Sequence, residues 1–453
     1  MKKGFQITLS TTQMIMLSFL VVILVGSMLL SLPISTANGK AISYMDALFT
    51  ATTATCVTGL VTVPTVTTWS VFGQIVILLL IQIGGLGVIT VLSGFMISLH
   101  KKIGLNDRFL LQDAFNLDTL SGLVKFVKKV IIGTFVIEGV GALLYMMVFV
   151  PEFGIKGIWI SIFTSISAFC NAGIDIIAEN SLCNYALNPM INMVTGALII
   201  LGGIGYIVWW DVLRVLREVK TLKWKCFKKL TLHSKIALSA TALFILLGAV
   251  VIFALEYNNP LTLQGLGLFD KMQVALFQSI TTRTAGFATI PQENLTNGSA
   301  IACLLLMFIG GSPVGTAGGI KTVTFIVLAA STIATIQNKQ EVSLFHRTLS
   351  KQAVDKAVAV TGMSFAILFI STMLLSAVTD RSALDVLYET VSATATVGLT
   401  RNLTPFINVW GKLILIATMY LGRIGPISLA IAFNTKKMKE NHIKNPVEKI
   451  SVG

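Results

Sequence analysis

The sequence predicts an all-α polytopic membrane protein: four span–pore-loop–span repeats, with eight long spans and four re-entrant pore helices, around a pseudo-fourfold pore. Three observations predict it. Of 453 residues, 54% are hydrophobic and only 12% charged, about half the charged share of soluble domains. The apolar residues fall into blocks of about 20, long enough to cross the hydrocarbon core as helices. A glycine-bearing segment also recurs four times at nearly constant spacing, and a fixed period marks a repeat architecture.

The long blocks lie at 13–32, 71–99, 127–150, 189–213, 235–256, 299–333, 356–379 and 408–433. Shorter semi-apolar pieces at 44–55, 157–169, 270–282 and 383–394 sit in every second gap. At roughly 12 residues these are too short to span, which fits helices that enter the membrane part way and return. The repeats then run 1–112, 113–226, 227–345 and 346–453, the third with a broken second span and the last with a basic cytoplasmic tail. Each unit begins and returns on the same side. A fourfold axis along the membrane normal follows, unlike the in-plane axis of inverted repeats.

Charge orients these spans. With both termini cytoplasmic and the short pieces facing outward, the outer side holds seven Lys/Arg against ten Asp/Glu, a charge of −3, and the inner side carries +17, which together give the formal +14. That asymmetry is the positive-inside pattern. It makes the lipid bilayer the partner and removes nucleic acid, since no soluble basic domain exists to bind it. The basic run Arg214, Arg217, Lys220, Lys223, Lys225, Lys228, Lys229 and Lys235 fits topology alone, with an anionic-lipid or partner site as the alternative. Lys2 and Lys3 before an apolar run resemble a signal peptide, but the first repeat needs that run as its span. Five cysteines without metal-ligand spacing and four histidines leave zinc or thiol chemistry little to build on. Only Glu138 and Arg423 lie inside spans, so an enzyme is not expected.

The four recurring segments are Thr55, Cys56, Val57, Thr58 and Gly59; Phe169, Cys170, Asn171, Ala172 and Gly173; Thr282, Arg283, Thr284, Ala285 and Gly286; and Thr394, Ala395, Thr396, Val397 and Gly398. Their glycines are 114, 113 and 112 residues apart, and each following span repeats a glycine pair or its equivalent at Gly84, Gly202, Gly310 and Gly422. Glycine permits φ > 0, so consecutive carbonyls can turn toward a common axis. Rings of carbonyl oxygens replace a cation's hydration shell, and the C-terminal end of each short helix adds about −0.5 elementary charge. Asp46 and Asp385, each 13 residues before its glycine, and Asp270, 16 before Gly286, are placed to cap the short helices; the second copy has Ile160 instead. Close helix packing through small residues is the alternative use of these glycines. Cys56 and Cys170 are expected to pack away from the axis, and Arg283 to point outward into polar partners.

The sixth block carries Gly310, Gly311, Ser312, Pro313, Val314, Gly315, Thr316, Ala317, Gly318, Gly319 and Lys321, five glycines and a proline that break a helix. Irregular backbone at membrane depth lines a cavity; a packing kink is the alternative. Arg423, deep in a span, is costly and by default functional. Its candidate partners are free carbonyls, the Ser312 and Thr316 hydroxyls, or Glu138. Lys321 reads equally as a gate residue or an inner-boundary charge.

On these residues the chain resembles, over nearly its whole length, the Ktr/Trk/HKT superfamily of potassium transporters, which includes bacterial Ktr and Trk and plant and fungal relatives. Its eight spans are most like those of the KtrB-type membrane subunit. The resemblance implies that Gly59, Gly173, Gly286 and Gly398 are selectivity-filter glycines, and glycine at all four implies preference for K⁺. It implies that residues 310–321 gate conduction and that Arg423 contacts the gate. The filter lacks the Thr-Val-Gly-Tyr-Gly of potassium channels, implying fewer well-formed sites. K⁺ at the filter is the only metal implied, with Na⁺ as an activator. A sodium-conducting or sodium-coupled transporter of the same superfamily is the alternative. No dinucleotide fingerprint lies on the chain, so nucleotide regulation would need a separate protein; the resemblance implies a cytoplasmic ring of nucleotide-binding subunits beneath a homodimer, in the bacterial plasma membrane.

Overall fold

The computed structural model describes residues 10–99, 104, 108–112, 122–218, 223 and 228–425. Lys2, Lys3, Lys220, Lys225, the end of the last expected span and the basic tail lie outside the described residues. In chain order the helices are α1 (Thr11–Leu30), α2 (Tyr44–Cys56), α3 (Val71–Leu86), α4 (Val88–Ser98), α5 (Leu123–Phe153), α6 (Ile155–Cys170), α7 (Pro189–Gly203) and α8 (Tyr206–Leu216). There follow α9 (Leu232–Glu256), α10 (Leu268–Thr281), α11 (Asn297–Phe308), α12 (Thr322–Ile336), α13 (Lys351–Ala377), α14 (Ala383–Thr394) and α15 (Val409–Ile424).

Helix starts follow local chemistry. Ser10 and Gln13 form a reciprocal capping box on α1. Ser70, Asn188, Thr231, Thr296, Ser350, Ser382 and Asn408 each accept a first-turn N–H. Among the described residues, α1, α5, α9 and α13 are long and apolar enough to cross a membrane. Their surfaces are inverted relative to soluble proteins: Phe369 is 73% exposed while Thr52, Thr53 and Thr55 are fully buried. Such a surface suits apolar surroundings.

The expected straight spans at 71–99 and 189–213 are corrected to bent pairs. α3 meets α4 at 98° and α7 meets α8 at 100°. Gly87 (φ 86°, ψ 134°) and Gly205 (φ 94°, ψ 137°) take a conformation that no helix accommodates. Gly425 ends α15 in the same way. The 299–333 block is likewise two helices, α11 and α12, around the segment Ile309–Lys321. A small antiparallel hairpin, Ser343–Leu344 against Arg347–Thr348, departs from the all-α expectation.

Asp46, Asp270 and Asp385 also need correction, because each occupies the third helical position rather than the cap. There a carboxylate still faces the positive end of the helix dipole, and it is free to pair: Asp46 with Lys412 at 2.5 Å and Asp385 with Arg401 at 2.7 Å. In α6 the third position is Gly157, where an added Cβ would meet the Phe149 carbonyl. No acid fits, since α5 turns directly into α6 at Gly154.

Packing between the units closes on itself. α3 packs against α6, α7 against α10, α11 against α14, and α15 against α2. The helix after each glycine segment therefore lies on the short helix of the next unit, and the last returns to the first.

Candidate functional site

Each short helix ends a few residues before its glycine, and the four glycines converge. A Cβ built on Gly59 would lie 2.6 Å from the Ala172 carbonyl oxygen; on Gly173, 2.6 Å from that of Ala285; on Gly286, 2.5 Å from that of Val397; on Gly398 it would press on that of Thr58. Each glycine thus faces the carbonyl preceding the next, in cyclic order. All four have positive φ, of 100°, 62°, 82° and 96°. Two residues earlier, Val57, Asn171, Thr284 and Thr396 are also left-handed, with φ of 55°, 59°, 65° and 50°. Non-glycine residues in that region cost about 1–2 kcal/mol each. Four registered copies mean that surrounding bonds impose the conformation.

Those bonds come from hydroxyls on the short helices. Thr53 Oγ1 accepts from Gly59 N–H at 3.0 Å and Ser392 Oγ from Gly398 N–H at 3.0 Å. Ser167 Oγ donates to the Ile174 carbonyl at 2.5 Å and Thr281 Oγ1 to that of Phe287 at 2.6 Å. Behind the segments, Gly84, Gly202 and Gly422 press against the carbonyls of Thr55, Phe169 and Thr394; a Cβ at any of them would come within 3.0 Å. These glycines let the following helix approach the segment. Around the ring, the hydroxyls of Thr55, Thr58, Thr394 and Thr396 are buried without a hydrogen-bond partner among the described residues. Free hydroxyls and carbonyls with no opposing charge suit a cation stripped of water.

The broken segment lies against this ring. Ser312 N–H and Thr316 N–H donate to the carbonyls of Gly203 and Gly202, and Tyr206 N–H donates to Val314 at 2.8 Å. Thr316 Oγ1 donates to the Phe169 carbonyl at 3.1 Å, Gly318 N–H to Thr284 Oγ1 at 3.2 Å, and a Cβ on Gly318 would clash with Thr396. The Ser312 hydroxyl is bonded to Thr322 rather than to Arg423. Arg423 Nη1 donates to the Thr316 carbonyl at 2.6 Å, and Nη2 to the Gly84 carbonyl. Lys321 Nζ donates to the Ala317 carbonyl at 2.6 Å. Two cations therefore hold consecutive loop carbonyls.

Of the alternative partners for Arg423, the carbonyls are the ones used. Glu138 instead accepts from Gln82 at 3.2 Å and stands 3.9 Å from Cys170 Sγ. Cys56 is buried among Phe49, Leu60 and Met419. Arg283 reaches back to the carbonyls of Thr241 and Gly310, each at 3.2 Å, over the Phe244 ring. Pro313, Gly310, Gly311, Gly315 and Gly319 shape the loop backbone. Sequence reasoning missed the left-handed residues before the glycines and the bends at Gly87 and Gly205.

Residues 2–444 match the TrkH family, described as cation transport proteins. The chain is 40% identical over 442 residues to the Ktr system potassium uptake protein B of Bacillus subtilis (strain 168), covering 97% of this chain and 96% of that one. It is 38% identical over 459 residues to the potassium/sodium uptake protein NtpJ of Enterococcus hirae, covering 100% and 99%. The crystal structure of the potassium transporter TrkH from Vibrio parahaemolyticus aligns over 96% of this chain and 87% of that one, with a TM-score of 0.76 at 17% identity. That last likeness is one of fold.

Proposed function

The chain belongs to the TrkH family of cation transport proteins, and from that premise we propose that it is the membrane subunit of a potassium uptake system. In this reading the four glycine segments form the selectivity filter, residues 310–321 with Arg423 form its gate, and α2, α6, α10 and α14 are re-entrant pore helices among eight spans. One observation carries the proposal: each filter glycine faces the carbonyl preceding the next, in a closed cycle of four. A cation on that axis meets backbone oxygens from every repeat and no charged side chain. Uptake then runs down the membrane potential, at about 2.3 kcal/mol per charge per 100 mV.

The gate reading is supported by the contacts of the loop with three of the four segments and, through Arg423, with the helix behind the first. Motion of the whole loop requires Arg423, Lys321 and Arg283 to release its carbonyls. Regulation through a cytoplasmic ring of nucleotide-binding subunits, a homodimeric arrangement, cytoplasmic termini and a bacterial plasma-membrane location complete the proposal; the names of the Ktr system relatives support only that such a subunit works within a system. The potassium/sodium relative favours a second reading, in which Na⁺ is also carried or activates uptake. Competition between K⁺ and Na⁺ in vesicles containing the purified chain, before and after addition of a cytosolic subunit with nucleotide, separates the two. K⁺ influx unaffected by excess Na⁺ supports the first; mutual inhibition, or stimulation of K⁺ influx by Na⁺, supports the second.

A further inference from the structure

We propose that Glu389 and Asp385, one helical turn apart on α14, form a two-carboxylate clamp on the chain leaving Gly398, and that Glu389 is thereby a positioning residue for ion discrimination. The inference rests on reading the glycine ring as the selectivity filter.

Glu389 is fully buried, and one of its oxygens accepts from the Thr400 hydroxyl at 2.9 Å. That hydroxyl accepts in turn from Leu403 N–H at 3.2 Å, folding the segment into a turn. Asp385 takes the next residue: its Oδ1 accepts from Arg401 Nε at 2.7 Å, and its Oδ2 from the Ser382 hydroxyl at 2.7 Å. Arg401 Nη1 donates to the Gln292 carbonyl at 3.0 Å, fastening the fourth unit to the third. Residues four apart share a helix face, so two consecutive residues just beyond the filter glycine are held by two carboxylates from one face.

The other units lack this device. At the offset of Glu389 from its glycine they carry Thr50, Thr164 and Phe277, none of them charged. A buried carboxylate is costly unless its bonds are made; here Oε2 is bonded to the filter's outward segment, while Oε1 is buried without a hydrogen-bond partner among the described residues. Gly398 borders both the first unit, at Thr58, and the third, whose Gly286 faces Val397. Slack at residues 398–400 therefore loosens the ring on two sides, and a looser ring discriminates less between K⁺ and the smaller Na⁺.

The test compares the full chain with Glu389→Gln, Glu389→Ala and Thr400→Val in reconstituted vesicles, measuring K⁺ and Na⁺ influx together with the rise in melting temperature caused by K⁺ over Na⁺. Glutamine keeps an acceptor for Thr400 and keeps the K⁺ preference. Alanine, and independently valine at 400, lower that preference about tenfold, chiefly by admitting Na⁺, and abolish the K⁺-specific rise. Wild-type preference in both of these variants, an equal fall in both influxes, or an equal loss in the glutamine variant overturns the clamp and leaves the filter standing. A wild-type chain showing neither K⁺ preference nor K⁺-specific stabilisation refutes the filter, and the clamp with it.

Discussion

Replacing Arg423 by alanine isolates the latch. Its guanidinium makes one short bond to the loop, to the Thr316 carbonyl at 2.6 Å, and a second to the Gly84 carbonyl on the first unit; the approach to Gly85, at 3.4 Å, is too long to add much. A hydrogen bond to a charged group contributes about 1.5–3 kcal/mol. Only the Thr316 bond ties the loop itself, so about 2 kcal/mol leaves the closed arrangement, a shift of about thirtyfold toward the open one. Basal K⁺ influx into vesicles holding the chain without any cytosolic subunit then rises by up to that factor. Arg423→Lys, with a single point charge able to reach one acceptor at a time, gives a smaller rise. Size-exclusion and melting profiles confirm that the variants are folded. Influx at or below wild type in monodisperse Arg423→Ala protein refutes the latch and leaves the segment a packing kink.

Other outcomes follow from the same geometry. Deleting residues 312–318 removes the loop from beneath the ring and raises basal influx further than Arg423→Ala; equal or lower flux counts against gating. Gly202→Ala drives a Cβ into the Phe169 carbonyl and the Thr316 hydroxyl and destabilises by about 1–3 kcal/mol, whereas Gly139→Ala, inside α5 with nothing nearby, leaves the melting temperature unchanged or slightly raised. Burial alone would raise the Asp385 carboxyl, but hydrogen bonds from Arg401 and Ser382 and the charges of Arg401 and Arg381 outweigh it and hold it below the ordinary carboxylate value. A lowered value means the pair stabilises above the unfolded range of about 4 and fades as pH falls through it. The melting-temperature difference between wild type and Asp385→Asn therefore stays constant from about pH 8 to 5 and shrinks below about pH 4; shrinkage near pH 6 would contradict the pairing.

Much of the helical layout is legible in the sequence because apolar length and Ser, Thr or Asn caps act locally. Residues 383–394 are read from the sequence with the boundaries that α14 has, and Gly310–Lys321 breaks its helix because five glycines and a proline leave no alternative. The bends at Gly87 and Gly205 were missed, since a glycine inside an apolar run is equally compatible with a straight helix. At Gly205 the tertiary approach of Pro313 and the bond from Tyr206 to Val314 accompany the break. The acids were assigned to helix caps from a correct spacing, but the third position and the cap lie within one turn, and the choice depends on distant Lys412 and Arg401. Arg423 stands out in the sequence by its depth in a span alone. Its choice of carbonyls over Glu138 depends on where Gln82 and Cys170 place that carboxylate, which no local pattern encodes.

The central claim is that four glycine carbonyl segments select K⁺. Paired K⁺ and Na⁺ influx into vesicles holding the purified chain, with Gly59→Ser alongside, tests it most directly. The account predicts K⁺ preference in the wild type and a clear rise in relative Na⁺ influx in the serine variant, whose side chain would crowd the Ala172 carbonyl and the neighbouring glycines. The same ratio of K⁺ to Na⁺ influx in both proteins would contradict it.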